Sequence, residues 1–307
     1  MATASAPSLA TRGFRRTSRY DPWFIAPLLQ FLGFGGAIAY STWAAFQGSH
    51  YLHEPYLSPF YSPTVVLSLD FWPFNTSWLA WMFVPISPAL IILIFPLGFR
   101  LTCYYYRKMY YRTFFMEPPA CAVGEAGRTE VYSGETRFPF SLLNFHRYFL
   151  YAAIAILFVL GYDFVLAFNH AGGTGVGLGT VILGVNLATL TLFTLSCNSL
   201  RHLVGGKVDC FSCVRFGAQR HKAWRFISVL NQRHMLWAWV SLATVCAGDF
   251  YVRLIAGGVG SWRFEDPVVL VPWYILLGAG VPLLAAMIAV PLWWHKKHQV
   301  AAPVPAG

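Results

Sequence analysis

No lysine or arginine occurs between Arg19 and Arg100, and none between Arg147 and Arg201. In soluble domains about one residue in four is charged, so cation-free stretches of this length suit one solvent, the lipid bilayer. Within and around them run apolar segments long enough to cross ~30 Å of hydrocarbon as helices. These are Trp23 to Phe46, Trp78 to Tyr106, Tyr148 to Phe168, Val176 to Leu200, Met235 to Ile255 and Val268 to Trp294. The expected fold class is all-α, a polytopic transmembrane helix bundle of about six spans. A chain that is 57% hydrophobic and 11% charged agrees with this.

The formal charge of +10 is informative through its placement. With Arg12, Arg15, Arg16 and Arg19 on the cytoplasmic side, every other Lys and Arg except Arg253 and Arg263 also falls there, which is the positive-inside pattern. Both termini are then cytoplasmic. The expected organisation is a cytoplasmic segment 1–22, a bundle over 23–294 and a cytoplasmic tail 295–307. The bundle has a long external loop 47–77 and internal loops 107–144 and 202–233, whose mix of charge and aromatics suits docking a large partner. The basic residues are dispersed among loops flanking spans instead of forming one stripe, so no nucleic-acid partner is expected. The first apolar stretch is too long for a removable signal peptide and has no small-residue cleavage site.

Six cysteines on or near the reducing side argue against structural disulfides. Cys103 lies four residues before Arg107, and Cys197 four before Arg201, so each sits about one turn below an arginine at the inner end of its span. His146, His202 and His234 stand at the ends of the third, fourth and fifth spans, beside Arg147, Arg201 and Arg233. Two thiolates on one iron and two imidazoles on the other form the ligand set of a Rieske [2Fe–2S] centre, which these residues can supply. The plainer alternative is small buried cysteines and interfacial histidines. No histidine falls at mid-depth, which disfavours two haems stacked across the membrane and leaves a single haem b near the inner face as an alternative.

Other residues carry weaker signals. Cys210-Phe-Ser-Cys213 has the spacing of half a zinc site or of a thiol redox pair, with no second C-x-x-C after it. Cys121 suits a partner contact or no role, and Cys246 suits packing. His50 and His53 make an incomplete metal site. Asp249 has Arg253 one turn later, an arrangement for an ion pair within a span. Asp163 has no evident partner, and a carboxylate there is costly unless paired or functional.

Several stretches resemble the membrane-anchor (cytochrome b-like) subunit of a bacterial branch of succinate dehydrogenases, or complex II. They are Gly98-Phe-Arg-Leu-Thr-Cys-Tyr-Tyr-Tyr-Arg-Lys, Pro118-Pro-Ala-Cys-Ala-Val, Gly134-Glu-Thr-Arg-Phe-Pro, Asn144-Phe-His-Arg-Tyr-Phe, Cys197-Asn-Ser-Leu-Arg-His-Leu-Val-Gly-Gly and Asn231-Gln-Arg-His-Met-Leu-Trp-Ala-Trp. The likeness runs from about Tyr51 to Arg253. It implies a multi-pass subunit in the bacterial inner membrane, surrounded by lipid, that docks a flavoprotein subunit and an iron–sulfur subunit and passes electrons from succinate oxidation to a membrane quinone, expected to be menaquinone. Some members of the branch resemble Rieske-cluster proteins, and that carry-over uses Cys103, Cys197, His202 and His234 as metal ligands, with His146 as first substitute. Quinone contacts are then expected from Tyr104, Arg107, His146 and Arg201. The resemblance implies five spans, so the sixth, Val268 to Trp294, is a departure.

This subunit is expected to bind no succinate, since the chain has neither a flavin dinucleotide fingerprint nor ferredoxin-type cysteine spacing. A reading of another class is a membrane transport or binding protein without a redox centre, in which Asp163 and Asn186 line a polar path.

Overall fold

In a computed structural model, residues 25–62, 88–110, 136, 138, 140–206, 208–257 and 264–275 are described. The chain divides into two compact units, residues 1–39 with 97–146, and residues 40–96 with 147–307. Four helices are long and apolar enough to cross a membrane: Ile25–Gln47, Ser141–Leu166, Leu178–Leu195 and His234–Ile255. The protein is thus an all-α membrane protein with several spans. Leu29, Leu32, Ile94, Phe158 and Val165 are exposed, as side chains facing lipid would be.

The elements are α1 (Ile25–Gln47), β1 (Leu52–His53), β2 (Tyr56–Leu57), α2 (Pro88–Leu101), α3 (Tyr104–Tyr110), α4 (His146–Leu166), β3 (Asn169–His170), β4 (Gly173–Gly177), α5 (Leu178–Leu195), α6 (Asn198–Gly205), α7 (Gly217–Asn231), α8 (His234–Ile255) and β5 (Val268–Leu270). Of the expected spans, the second is described from Pro88 onward, and its helix stops at Leu101 and restarts at Tyr104. The fourth likewise stops at Leu195 and restarts at Asn198. The expected sixth span departs from helix at its start: Val268–Leu270 is a strand paired antiparallel with Gly175–Gly177. Three β-branched or γ-branched residues in a row pair well with a neighbouring edge, and this overrides the apolar run that suggested a helix. Beyond Ile275 that segment lies outside the described residues, as do 63–87 and most of the expected loop 107–144.

Within the first unit, the side chain of Tyr106 is buried against Phe34, ring centroids 4.5 Å apart, and its hydroxyl accepts a hydrogen bond from the buried Arg100 at 2.9 Å. An arginine can enter an apolar interior only when its donors are met. Tyr106 meets one of them from the first turn of α3.

The second unit is organised by α5 and α8, which pack along one another. At 1.5 Å per residue α5 is about 27 Å long, close to the hydrocarbon thickness. Its N-terminal end carries the strands. There Asp266 accepts hydrogen bonds from Tyr56 (2.5 Å), from Tyr251 and from the Gly179 backbone N–H (3.2 Å), so a carboxylate caps the positive end of α5. The Tyr56 ring lies so close to Gly179 that a Cβ there would sit 2.6 Å from Cζ. Only glycine admits this approach.

Deeper at the same end, Asp249 and Arg253 form the ion pair expected from their spacing, Nε to Oδ2 2.8 Å, with Asp249 fully buried. The carboxylate also accepts hydrogen bonds from Tyr40 (2.7 Å) and Ser58, while the guanidinium donates to Ala44 O (2.9 Å) and Ser49 O (3.1 Å). Asp163 does find a partner, since Ser62 donates to it.

Two outcomes follow from this end of the unit. Asp249→Ala leaves a buried guanidinium without its counter-charge and costs about 3–5 kcal/mol, whereas Asp249→Leu with Arg253→Met recovers most of the loss; thermal unfolding of the solubilised protein reads both. Burial, and then the Asp266 carboxylate, push the Tyr56 phenol up to about 12 from its ordinary value near 10. A raised value in the folded state means that this contribution is complete below pH 10 and is lost as pH rises through about 12. Tyr56→Phe should therefore make the alkaline fall in Tm shallower.

Candidate redox and quinone site

Cys103 and Cys197 occupy the same kind of local turn. Each stands in the gap between an apolar helix and a short helix that begins at the next residue. The Cys103 N–H donates to Arg100 O (3.1 Å) and the Cys197 N–H to Thr194 O (3.2 Å); each cysteine carbonyl then accepts from the arginine four residues on, Arg107 N at 2.8 Å and Arg201 N at 3.1 Å. Backbone bonding is thereby kept through the break. Both thiols are sealed in, Cys103 at 2% and Cys197 at 1% exposure. Neither makes a disulfide.

Cys103 belongs to the first unit, and Cys197, His202 and His234 to the second. His234 opens α8 at 3% exposure, its ring stacked on Phe193 at 5.0 Å. Its Nδ1 lies 2.6 Å from the hydroxyl of Ser196, the residue before Cys197, and Asn231 Nδ2 donates to Ser196 O at 2.7 Å. The α5–α6 break and the start of α8 are thus tied together beside one thiol. His202 is partly exposed, with Nδ1 3.1 Å from an Arg147 nitrogen. In the first unit His146 stacks on Phe99 (4.7 Å) and its Nδ1 lies 2.9 Å from Thr102 Oγ1. With Nδ1 engaged in each ring, Nε2 is the nitrogen through which a metal would be met. Among the described residues no group of three His, Cys, Asp or Glu comes together as a site for one metal ion.

Of the residues expected at quinone, Tyr104 is 60% exposed and the guanidinium of the half-buried Arg107 lies 4.6 Å from its ring centroid, so two donors stand on one turn of α3. His146 is turned into packing. Arg201 is drawn to α7, donating from Nε to Ser228 Oγ (2.9 Å) and lying 4.8 Å from the Trp224 ring. The sequence reading missed Ser196, Thr102, Asn231, Ser228 and Trp224. Small polar residues beside a span-end cysteine or four residues before a histidine region were the available signal. Asn186 is buried and its carbonyl lies 3.5 Å from Thr244 Oγ1, which itself meets Thr189 at 2.7 Å, so these groups satisfy one another across α5 and α8.

The description "Actinobacterial succinate dehydrogenase subunit SdhC" matches residues 25–258. The chain belongs to this family. It is a membrane-anchor subunit of succinate dehydrogenase, and the other subunits of that complex are its partners. Among solved structures, a chain of the "Mycobacterium smegmatis Sdh1 complex in the apo form" is similar at 43% identity and TM-score 0.69, over 83% of this chain and 94% of that one. No curated protein matches.

Ser196→Ala removes the hydroxyl from Nδ1 of the buried His234 ring. The expected cost is about 1–3 kcal/mol, the range for a buried polar group that loses its partner, read as a fall in Tm. Ser228→Ala, on the more open α7, should cost less.

Proposed function

We propose that this anchor holds the flavoprotein and iron–sulfur subunits at the cytoplasmic face of the bacterial inner membrane and passes electrons from succinate to a quinone. The single observation that carries the redox reading is the repeated turn at Cys103 and Cys197, in which two buried thiols are presented at breaks immediately beyond apolar helices. Packing alone does not call for a helix to be interrupted twice at a cysteine with the same backbone pattern.

The ligands proposed for a Rieske-type [2Fe–2S] cluster are Cys103, Cys197, His234 and His202, with His146 in reserve, a reading supported by the chemistry of the donor set, two thiols and two imidazoles. Such a cluster takes two protein ligands at each iron, so its fit does not depend on three donors around one ion. Bound there, the cluster would supply one-electron transfer. The chain's own contributions are distinct: Ser196 fixes the His234 ring, Phe193 covers its face, and the buried turns exclude water from both thiols. Hydrogen bonds that orient a ligand ring commonly decide metal affinity tenfold or more.

At the quinone, the exposed Tyr104 and the half-buried Arg107 beside it are the donors that would meet a carbonyl oxygen at the lipid boundary. The balance is simple. Succinate gives two electrons and two protons on becoming fumarate in the partner subunits, and quinone takes up two of each on becoming quinol. Arg201, held by Ser228 and Trp224, acts in this reading on the packing of α6 against α7 and not on the quinone. Menaquinone remains the expected acceptor.

The test is iron and acid-labile sulfide in the purified complex, with low-temperature EPR. The wild type should carry iron and sulfide beyond the content of the iron–sulfur subunit, with the low average g of histidine-ligated clusters. Cys103→Ser and Cys197→Ser should each abolish that excess, while Cys246→Ser keeps it. No excess in a freshly prepared wild-type complex, or a b-haem spectrum in its place, overturns the cluster assignment.

A further inference from the structure

Cys210 and Cys213 are joined by a disulfide, their Cα atoms 5.3 Å apart across the 3-10 turn Phe211–Cys213. Of the two readings of this spacing, half a zinc site or a thiol redox pair, the bonded sulfurs match the second: one tight turn brings them together, with Cys213 N–H donating to Cys210 O at 3.2 Å. The turn lies in a segment, 201–233, with seven Lys and Arg against one acid, Asp209. By the positive-inside rule that segment faces the cytoplasm, where thiol pools keep ordinary cysteines reduced and a bonded pair is a responsive one. Cys213 is exposed and Cys210 partly so, open to an attacking thiolate. The zinc alternative lacks ligands, since among the described residues no third His, Cys, Asp or Glu joins the pair.

The bond has something to hold. Phe211, between the cysteines, packs on His221 (5.0 Å) and Trp224 (6.3 Å) of α7, and Trp224 in turn faces Arg201 of α6. Phe211 O occupies the place a Cβ on Gly217 would take, 1.5 Å away, and a Cβ on Gly205 would meet Trp224 at 2.5 Å and Phe211 at 3.0 Å. The turn is therefore wedged into the α6–α7 hairpin at both glycines. With the sulfurs unlinked, the chain entropy that the cross-link removes is returned to this wedge.

We propose that Cys210–Cys213 is a reversible dithiol/disulfide site for a cytoplasmic dithiol protein, and that its bond clips Phe211 into the α6–α7 hairpin. In reduction a thiolate of the dithiol protein attacks Cys213 Sγ, the Cys210–Cys213 bond breaks, and Cys210 leaves as a thiolate that takes up a proton. The second thiolate of the dithiol protein then attacks the mixed disulfide. It releases Cys213 as a thiol and leaves the dithiol protein oxidised, so two electrons and two protons have moved. The proposal rests on the topology of the proposed anchor, not on its electron transfer.

Membranes holding the intact complex are equilibrated in dithiothreitol buffers of stepped potential, quenched in acid, alkylated and analysed by mass spectrometry. Cys210 and Cys213 should gain label together along one two-electron curve, and a thioredoxin-type dithiol should reduce them at least tenfold faster than a monothiol at equal thiol concentration. Hydrogen exchange of residues 208–217 should rise several-fold on reduction. Thiols that stay unlinked in the most oxidising buffer, a bond that survives the most reducing one, equal rates with the two reductants, stoichiometric zinc on the pair, or unchanged exchange would each overturn the proposal. The readout is sulfur labelling and amide exchange, so it stands or falls independently of succinate turnover and of iron content.

Discussion

Arg253 and Asp249 are both sealed from solvent in the second unit, and neither could stay charged there alone. Moving a single charge out of water costs several kcal/mol even after relaxation, so each demands every partner within reach. The carboxylate gathers Arg253, Tyr40 and Ser58, and the guanidinium gathers the carbonyls of Ala44 and Ser49 and lies near the rings of Trp43 and Tyr61. The C-terminal end of α1, the segment after it and α8 are brought to one place by that demand. The apolar cluster of Ala44, Ala45, Phe60, Tyr61 and Ala89 then fills the remaining space. Arg253 is also one of two cations that break the positive-inside pattern. On that expected topology an outer arginine is tolerated because it is neutralised within the fold.

The same requirement acts differently at the other end of α5. There the helix is allowed to break, and the groups that a break exposes are reclaimed locally by i to i−3 and i to i+4 backbone bonds around Cys197. Ser196 turns its hydroxyl to Phe193 O and to His234, and Asn231 covers the Ser196 carbonyl. A continuous helix would have needed none of these side chains. Sequence positions 196, 231 and 234 are therefore spent on keeping an irregular backbone inside an apolar setting, which membranes tolerate only where it is buried in protein.

Much of this was legible in the sequence, and the part that was not has a common cause. Long apolar runs and cation-free gaps gave the spans, and the i, i+4 spacing of Asp249 and Arg253 gave their pairing, because both are local patterns. Ser62 on Asp163, Ser58 on Asp249 and Tyr56 on Asp266 join residues 101, 191 and 210 positions apart, and no periodicity announces such partners. The helix breaks at Thr102–Cys103 and Ser196–Cys197 carry no proline or glycine, so the usual punctuation was missing. Val268–Leu270 read as the start of a span because apolarity alone does not separate a short strand from a helix. The cysteines and His234 were picked out as candidates. The orientation of each imidazole was not, since it rests on Thr102, Ser196 and Arg147, residues of ordinary appearance.

Polar chemistry in this chain is thus sorted by how far its partners lie along the sequence. At the strand-bearing end long-range bonds assemble a rigid cap, in which Asp266 fixes Tyr56, Tyr251 and the first turn of α5 at once. Around Cys197 the bonds span less of the chain, three or four positions within the turn and 35 to 38 positions from Ser196 to Asn231 and His234. A cap held by distant partners resists deformation as a unit. A set of local turns can accept a group or a partner surface with small adjustments, because moving one turn does not oblige the rest of the unit to move. The two ends of α5 therefore differ in how much of the unit depends on each contact.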